Sequence, residues 1–405
     1  MVHQTMNTRI NNAPSASSTS NHMRRAYWVW LVLLCGCSAV PPSPPTPPTP
    51  AREVAVAPGS VGPAASLHPA SRWQPAAWAD LPGWEQDRTR EAWTALQRSC
   101  ERLAPEVQRE TPAWIRACQD ALQTLPADST AARAWFMQRF TPYRVLPLDA
   151  AAPGEGLATG YFEPLIEARR TPRGALRVPL HSPPADLATR KPWFTRAQIE
   201  TLPDAQAALR GREIAYVADP LDALLLQVQG SGRVRLIADD GRTQTVRLAF
   251  AGHNDQPYQS IGRWLIDQGE LRPGEASWPA IREWARRFPK RVPEMLAANP
   301  RVVFFREEPL PDPSLGPRGA EGVALSPERS IAVDPKSLPY GTPVWLDTTE
   351  PLSATPLRRL VLAQDTGSAI VGAVRADYFW GWGERAEQQA GRMKQPLRIW
   401  VLWPK

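Results

Sequence analysis

Histidine is scarce in this sequence, with five in 405 residues, and only His181 and His253 lie in the part with globular composition. No pair of histidines has the spacing of a zinc site. Ser231 lies between two glycines but lacks the Gly-x-Ser-x-Gly pattern, and is expected in a turn whose small residues let another chain come close. The sequence therefore disfavours a zinc site and a Ser-His-Asp triad, and no metal or cofactor is expected.

Long apolar runs and one-sided charge are also missing. No segment reaches the roughly 18 consecutive apolar residues that a transmembrane helix requires. Lys and Arg total 47 against 40 Asp and Glu, a net charge of +7, and the basic residues are scattered among acidic ones. Because there is neither a dense basic run nor a Gly-rich phosphate loop, nucleic acid is not expected as a partner.

Residues 1–36 have the features of a lipoprotein signal. Two arginines after Met23, a candidate start of translation, precede the apolar run 26–34. The run closes on the letters LCGC, residues 34–37, which resemble the lipobox of bacterial lipoproteins, so Cys37 is predicted to carry the lipid. Ser38, and not Asp, follows the cysteine, and in this the sequence resembles lipoproteins that are sorted to the outer membrane. The alternative is an ordinary signal peptide that happens to contain cysteines.

Residues 37–72 form a proline-rich tether. The stretch PPSPPTPPTP, residues 41–50, favours polyproline II, an extended conformation that rises about 3.1 Å per residue. We therefore expect a semi-rigid spacer between a lipid anchor and the folded part. From about Trp73 to Lys405 the composition is globular and the length exceeds one ordinary domain, which predicts two domains or one with an insertion.

Two of the four cysteines, Cys100 and Cys118, follow the signal region. Each continues an apolar pattern with helical spacing, so the two are predicted to lie on packed helices. In an oxidising compartment such a pair favours a disulfide. Two buried free thiols are the alternative.

The rest of the chain carries mainly strand patterns. A third helix is predicted around 132–140 and others near 261–265 and 278–288, while Asp239-Asp240-Gly241 predicts a hairpin turn. Short strands separated by Gly and Pro favour a small closed barrel over a doubly wound sheet. The predicted strands are 159–165, 224–229, 233–237, 243–250, 302–305, 330–333, 343–346, 359–363 and 397–402.

Carboxyl groups are the remaining candidates for chemistry. Asp365-Thr366-Gly367 resembles the catalytic turn of an aspartic protease. Such a protease needs two of these turns to supply its pair of carboxyl groups, and the sequence has one. An aspartic protease of this sequence would therefore have to be a homodimer. Asp377 lies among four aromatic residues, and an apolar setting would raise its pKa and keep a proton available. The alternative is an amphipathic element whose aromatics form core while Asp377 faces water.

Several motifs follow one another between about residues 155 and 405. They are Gly160-Tyr161-Phe162-Glu163-Pro164, Leu226 to Arg233, Ala251 to Tyr258, Ser260-Ile261-Gly262-Arg263, Asn299 with Val303-Phe304-Phe305, Ile331 to Asp334, Pro339 to Val344, Asp365 to Gly367, and Arg375 to Gly381. In this order, behind a lipobox, they resemble the membrane-bound lytic murein transglycosylase A family. Two positions depart from its pattern: Asp255 stands where the family usually has Gly, and Ser368 where a second Gly follows Gly367.

The resemblance implies a mainly β protein with N-terminal helices. Its fold would be a double-psi β-barrel with an inserted smaller β-barrel domain and a groove between them for a glycan strand. On this basis the barrel domain comprises 73–156 and 298–405, and the inserted domain comprises 157–297.

The same resemblance implies a murein-degrading lyase, an exolytic transglycosylase that cleaves the β-1,4 bond between N-acetylmuramic acid and N-acetylglucosamine without water. Asp377 matches the family's single catalytic residue. It would protonate the leaving oxygen and then activate the C6 hydroxyl of muramic acid, giving a 1,6-anhydro sugar. Asp365 is expected in a supporting role. The alternatives are a non-catalytic peptidoglycan-binding lipoprotein and a hydrolase that uses both carboxylates.

Planar amides, hydroxyls and guanidinium groups typically hold glycans, and eight such side chains of the matching motifs are predicted to line the groove. Each is equally compatible with a barrel residue whose side chain makes its hydrogen bonds within the protein. The expected partners are peptidoglycan glycan strands, the outer membrane through a lipid anchor on its periplasmic face, and proteins of cell-wall synthesis or division. The predicted groove residues are Tyr161, Gln227, Gln229, Ser231, Arg233, Asn254, Tyr340 and Arg375.

Overall fold

The computed structural model describes residues 70–102 and 112–405. Cys37 and almost all of the predicted tether lie outside these residues. Within the described ranges, no helix is both long enough and apolar enough to cross a membrane. The secondary structure is mainly strand with some helices, which confirms the predicted class.

Three α-helices of the described residues lie between the first two strands and pack against the large sheet. Their buried side chains include Trp93 and Trp114, and a disulfide with an S–S distance of 2.02 Å joins Cys100 to Cys118 on the first two helices. The α-helices of the described part are α1 Trp93–Arg102, α2 Pro112–Gln123, α3 Ser129–Arg139, α4 Arg196–Thr201, α5 Pro203–Leu209, α6 Pro220–Gln229, α7 Ile261–Asp267, α8 Trp278–Arg287, α9 Val292–Ala297 and α10 Glu384–Ala390. Short 3-10 helices lie at Trp78–Asp80, Trp84–Gln86, Thr89–Ala92 and Pro289–Arg291.

The strands of the described residues form three sheets. The strands are β1 Arg72–Pro75, β2 Phe140–Leu146, β3 Gly156–Glu163, β4 Leu165–Ala168, β5 Val178–His181, β6 Glu213–Val217, β7 Gly232–Ile237, β8 Thr243–His253, β9 Val303–Pro309, β10 Ser330–Val333, β11 Pro343–Thr349, β12 Pro356–Asp365, β13 Arg375–Trp382 and β14 Lys394–Pro404. The large sheet has the order β1-β2-β14-β11-β12-β10-β13-β3, a second sheet has the order β4-β7-β8-β9, and β5 pairs with β6.

Six strands of the large sheet form a closed circuit of backbone pairing, because β3 at one edge pairs with β14 as well as with β13. Successive side chains of a strand point to opposite faces. Ile331 and Tyr378 accordingly belong to the main hydrophobic core, whereas Ala332 and Phe379 belong to a small cluster apart from it. We call the face that carries Ala332 and Phe379 the outer face.

The stretch 224–229 was predicted as a strand, and that prediction is wrong, because it is the second half of helix α6. Asp219 accepts the N–H of Leu221 at 2.8 Å as the N-cap, and Pro220 occupies the first turn. Gly230 ends the helix in the left-handed conformation, with φ of 78°.

Three consecutive leucines of α6 belong to three different hydrophobic clusters. Leu224 packs with the helices α7 to α9, Leu225 with the main core, and Leu226 with the four-stranded sheet. Apolar residues that are buried on several sides of a helix form no one-sided apolar stripe. This is why the apolar run looked like a buried strand in the sequence.

The junction between the two larger sheets contains a buried ion triad. Glu163 ends β3, is completely buried, and accepts hydrogen bonds from Arg233 Nε at 2.8 Å and Arg247 Nε at 2.6 Å. Both arginines also donate to the carbonyl of Leu315, at 3.2 and 2.6 Å. The triad therefore ties the last residue of β3 to β7 and β8.

Strand pairing changes from the large sheet to the four-stranded sheet at Pro164, and the chain returns between 309 and 330. The boundaries predicted from the sequence were 157 and 297. Strand β3 begins at the first boundary and pairs with β13 of the large sheet, whereas β9 follows the second boundary and pairs with β8 of the four-stranded sheet. Neither long-range pairing leaves a local signal in the sequence.

Asp255 has a φ of 56°, in the left-handed region that favours glycine. Aspartate tolerates this region better than most residues, and the N–H of Asp255 donates to His253 Nδ1 at 2.9 Å. The turn therefore keeps the backbone conformation that a glycine would adopt, although the sequence departs from the family pattern here.

Candidate active site

Asp365 and Asp377 lie on one row that crosses the large sheet. Ala332 on β10 is the register partner of Asp365 on β12 and of Asp377 on β13, and Asp377 is also the partner of Thr159 on β3. Register partners on neighbouring strands point to the same face, so both carboxyl groups lie on the outer face with Ala332. Two strand spacings of about 4.8 Å separate their Cα atoms by roughly 10 Å.

Asp377 is half-buried, and only one of its oxygens is engaged. Thr159 donates its hydroxyl to Asp377 Oδ1 at 2.6 Å, whereas Oδ2 makes no hydrogen bond to a described residue and is not fully enclosed. Burial raises the pKa of Asp377 above that of an ordinary aspartate, and the Thr159 hydrogen bond and the charge of Arg375 offset part of the rise. Such a carboxyl group can donate and accept a proton.

Asp365 is held through both of its oxygens. Oδ1 accepts the N–H groups of Ala320 and Thr366, each at 2.9 Å, and Oδ2 accepts the hydroxyl of Tyr161 at 2.9 Å. Burial raises the pKa of Asp365 to about 6, these three hydrogen bonds oppose the rise, and the charge of Asp377 adds to it. Asp365 is therefore fixed in orientation and electrostatically coupled to Asp377.

The aromatic residues around Asp377 are mostly core. Tyr378 and Trp380 lie in the main core on the other face of β13, and Phe379 packs with Tyr161 in the outer cluster. Trp382 is partly buried, and the centroid of its ring lies 4.0 Å from the guanidinium carbon of Arg233. The sequence offered two readings of this stretch, and each holds in part, because the aromatics are core while Asp377 has a raised pKa.

Three predicted groove residues lie where α6 ends and β7 begins, and all three are half-buried. Gln227 accepts a hydrogen bond from Arg196 at 2.6 Å, and Gln229 accepts the N–H of Phe162 on β3 at 3.0 Å. Ser231 lies in the predicted turn. A Cβ on the next residue, Gly232, would come within 2.1 Å of the Leu226 side chain, so glycine permits the close approach.

Arg233 and Asn254 are buried, with exposed fractions of 6% and 0%. Arg233 belongs to the ion triad. Asn254 donates to the carbonyls of Phe194 and Pro300, each at 2.8 Å, and accepts the N–H of Val302 at 2.9 Å. The structure therefore gives these two side chains internal partners and does not place them on an open surface.

Tyr340 and Arg375 lie beside the two carboxyl groups. Burial raises the pKa of Tyr340, and the charge of Asp365 adds to the rise. Arg375 lies two residues before Asp377 on the same face of β13 and donates to the carbonyls of Leu157 and Ala376 at 3.3 and 2.7 Å. Burial lowers the pKa of Arg375, and Asp377 opposes this shift.

The sequence did not reveal the roles of Thr159, Glu163 and Arg196. Thr159 and Glu163 lie in a stretch that was assigned only as a strand, and their partners are 218 and 70 to 84 residues away. Arg196 had no recognisable motif.

In the ranges 70–102 and 112–405, no three His, Cys, Asp or Glu side chains are grouped to hold a metal ion. Fold and site thus define a mainly β protein with a half-buried carboxyl pair suited to acid–base chemistry.

Comparison with known proteins gives two family matches. The MltA specific insert domain matches residues 157–306, and the 3D domain matches residues 329–403. The membrane-bound lytic murein transglycosylase A of Vibrio cholerae is 35% identical over 257 residues, which are 62% of this chain and 66% of the relative. The match thus spans just under two thirds of that relative's length.

Solved structures match over more of the chain. The lytic transglycosylase LtgG of Burkholderia pseudomallei is 46% identical, with a TM-score of 0.57 over 87% of this chain and 98% of that one. Escherichia coli MltA with bound chitohexaose is 25% identical, with a TM-score of 0.62 over 83% and 92% of the two chains. The chain belongs to the membrane-bound lytic murein transglycosylase A family.

Proposed function

We propose that this protein is a lytic transglycosylase of peptidoglycan. It cleaves the β-1,4 bond between N-acetylmuramic acid and N-acetylglucosamine and leaves 1,6-anhydromuramic acid ends. The names of its relatives support the activity, and the bound chitohexaose in one of them supports a glycan substrate. The observation that carries the proposal is Asp377, a half-buried acid with a raised pKa, one of whose oxygens makes no hydrogen bond to a described residue.

The closed circuit of six strands is, in this proposal, a double-psi β-barrel. The chain between β3 and β10 is then the inserted domain, and the glycan groove lies on the outer face between the two. The return of β3 to β14 and the match of the insert-domain model to residues 157–306 support this arrangement. Asp377 would face the groove because it lies on the outer face with Ala332.

The reaction needs one acid that becomes a base. Protonated Asp377 donates its proton to the glycosidic oxygen as the bond from C1 to that oxygen breaks, and the sugar passes through an oxocarbenium-like state. The carboxylate then takes the proton of the C6 hydroxyl as O6 attacks C1. The proton returns to Asp377 and no water is consumed.

Asp377 suits this role better than Asp365. The oxygens of Asp365 accept three hydrogen bonds from within the protein, so neither is directed to a substrate. Its negative charge, when present, favours the protonated form of Asp377 and the positive charge that develops on the sugar. Asp365 and Tyr161 are therefore assigned as positioning residues.

Membrane attachment is the remaining part of the proposal. The relatives are named as membrane-bound, and the helices of the described residues are too short or too polar to span a membrane. Lipidation at Cys37 would anchor the protein on the periplasmic face of the outer membrane, with the proline-rich segment as spacer. Metabolic labelling with a fatty acid, compared between the natural chain and Cys37→Ser, tests the anchor.

Digestion of purified murein sacculi tests the activity. The full-length protein should release muropeptides that carry 1,6-anhydromuramic acid, which are lighter by one water than hydrolysis products in mass spectrometry. Reducing-end N-acetylmuramic acid would instead identify a hydrolase. Binding to sacculi without any soluble product would identify a non-catalytic binding protein.

Replacing Thr159 by valine should move the pH profile of the reaction. The hydroxyl stabilises the charged form of Asp377 and so lowers its pKa, and its removal should raise that pKa further. Activity that requires the protonated acid falls as pH rises through this pKa, so the basic limb of the profile should shift upward by roughly one unit. Thr159→Ser keeps the hydroxyl and should keep the profile. An unshifted limb in Thr159→Val would contradict the coupling.

A further inference from the structure

Arg196 is a buried cation that has no ion-pair partner in the described part of the chain. Its exposed fraction is 8%, and no carboxylate of the described residues lies within ion-pair distance of its guanidinium group. The other three buried arginines of the described chain all have carboxylates: Arg233 and Arg247 share Glu163, and Arg329 binds an aspartate. A buried charge without a counter-charge is costly, so the exception at Arg196 requires a reason.

The hydrogen bonds of Arg196 are all to neutral acceptors. Nε donates to the carbonyl of Asn299 at 3.0 Å, and Nη2 donates to Gln227 Oε1 and the carbonyl of Arg301, both at 2.6 Å. Nη1 makes no hydrogen bond to a described residue, and it is not among the fully enclosed polar atoms. Burial lowers the pKa of Arg196 to about 10, and Glu200, one turn further along α4, opposes this shift, so the group stays charged at neutral pH.

Arg196 lies against the segment that leads to the candidate active site. Gln227 is in the last turn of α6, and two residues further on Gln229 accepts the N–H of Phe162. Phe162 follows Thr159 by three residues on β3, about 10 Å along the strand. A glycan chain of several sugars that is bound at Asp377 and extends along β3 past Phe162 runs toward this end of α6.

We propose that Arg196, positioned by Gln227, binds a carboxylate of the glycan substrate and thereby selects muramic-acid-containing strands over neutral ones. The proposal rests on the proposed function and adds a specificity site to it. The carboxylate belongs either to the lactyl group of a peptide-free strand or to a peptide attached to that group. Both present the same anion to the guanidinium.

Binding to three ligands tests this site. We would measure the affinity of the full-length protein, carrying Asp377→Asn to prevent turnover, for chitohexaose, a peptide-free muramic-acid oligosaccharide, and its peptide-bearing form. Arg196→Gln should weaken carboxylate binding about tenfold or more and change chitohexaose binding less than twofold, because only the former loses a charge-assisted hydrogen bond. Loss confined to the peptide-free ligand identifies the lactyl carboxylate. Loss confined to the peptide-bearing ligand identifies the peptide.

Gln227→Glu is a second variant, which keeps the proposal testable if Arg196→Gln does not fold. It leaves the hydrogen-bond geometry in place and gives Arg196 an internal carboxylate, so the fold should persist while the preference for carboxylate ligands is lost. Arg190→Gln is the matched control. It removes an exposed arginine that stacks on Phe194 at 3.7 Å, changes the net charge equally, and should leave the preference intact.

Two results would overturn the site. One is an equal loss for all three ligands in Arg196→Gln, which would indicate a structural role only. The other is an unchanged carboxylate preference in folded Gln227→Glu. Failure of the proposed function itself would look different, because the natural chain would then form no anhydro product from sacculi, whatever the ligand preference of these variants.

Discussion

Asp377→Asn is expected to lower the formation of anhydro products from sacculi by about a thousandfold or more. The amide can neither protonate the leaving oxygen nor remove the proton of the C6 hydroxyl, and general acid–base catalysis contributes about 10² to 10⁴ in rate at one group. The substitution is isosteric, and the amide oxygen can still accept the Thr159 hydroxyl. The rate is measured by mass spectrometry of released muropeptides.

Stability distinguishes a lost catalytic group from a lost fold. Because burial raises the folded-state pKa of Asp377, the ionised carboxylate destabilises the fold once the pH exceeds that pKa. Asp377→Asn should therefore unfold at the same temperature as the natural chain or higher at pH 8. Asp365→Asn is the companion variant, with a smaller loss of rate expected for a positioning residue. Substantial turnover in Asp377→Asn beside an inactive Asp365→Asn would mean that the acid has been assigned to the wrong residue.

Glu163→Gln is expected to destabilise the protein by about 3 to 5 kcal/mol, because it leaves the buried guanidinium groups of Arg233 and Arg247 without their counter-charge. The value is measured as the free energy of unfolding in urea. Both arginines have side-chain exposed fractions of 8%. They therefore cannot regain solvation without disrupting the junction between the two sheets.

Glu167→Gln is the matched control for this effect. Glu167 lies four residues further on and pairs with Arg235 at 2.6 Å, but the side chains are 56% and 45% exposed. Exposed pairs contribute about 0 to 1 kcal/mol, so a small change is expected. Combined replacement of Glu163, Arg233 and Arg247 by methionine should recover much of the loss, since no uncompensated charge remains. Equal destabilisation by the two glutamine variants would show that burial does not set the strength of the triad.

The sequence predicted the elements whose signals are local. The hairpin of β7 and β8 follows from strand patterns around Asp239-Asp240-Gly241, and Gly241 has the left-handed φ of 84° that such a turn needs. The helices α7 and α8 were also predicted, and their N-caps, Ser260 and Ser277, accept N–H groups as expected of serine in that position.

The sequence pointed to the two carboxyl groups of the candidate site but not to their arrangement. Asp365 and Asp377 were both identified, yet nothing in the sequence placed them on either side of Ala332, because that row depends on one parallel and one antiparallel pairing of β10. Strand β13 was not recognised as a strand. Its buried residues face two different clusters, so the alternation of polar and apolar residues is absent.

Buried polar networks were the hardest part to foresee. From their side-chain types, Arg233 and Asn254 were predicted either to face a glycan or to be satisfied within the barrel, and their hydrogen-bond partners lie 46 to 82 residues away along the chain. Side-chain chemistry alone does not distinguish a ligand contact from an internal one. The difference depends on burial, which only the tertiary structure defines.

Helix α6 has a consequence for the folding of the chain. Its three consecutive leucines each complete a different hydrophobic cluster, so none of these clusters can keep its packing if the helix unwinds. The four-stranded sheet and the closed circuit of strands are thereby joined into one cooperative unit, although their strands belong to separate sheets. Slow amide exchange in α6 would accordingly report the global unfolding of both parts.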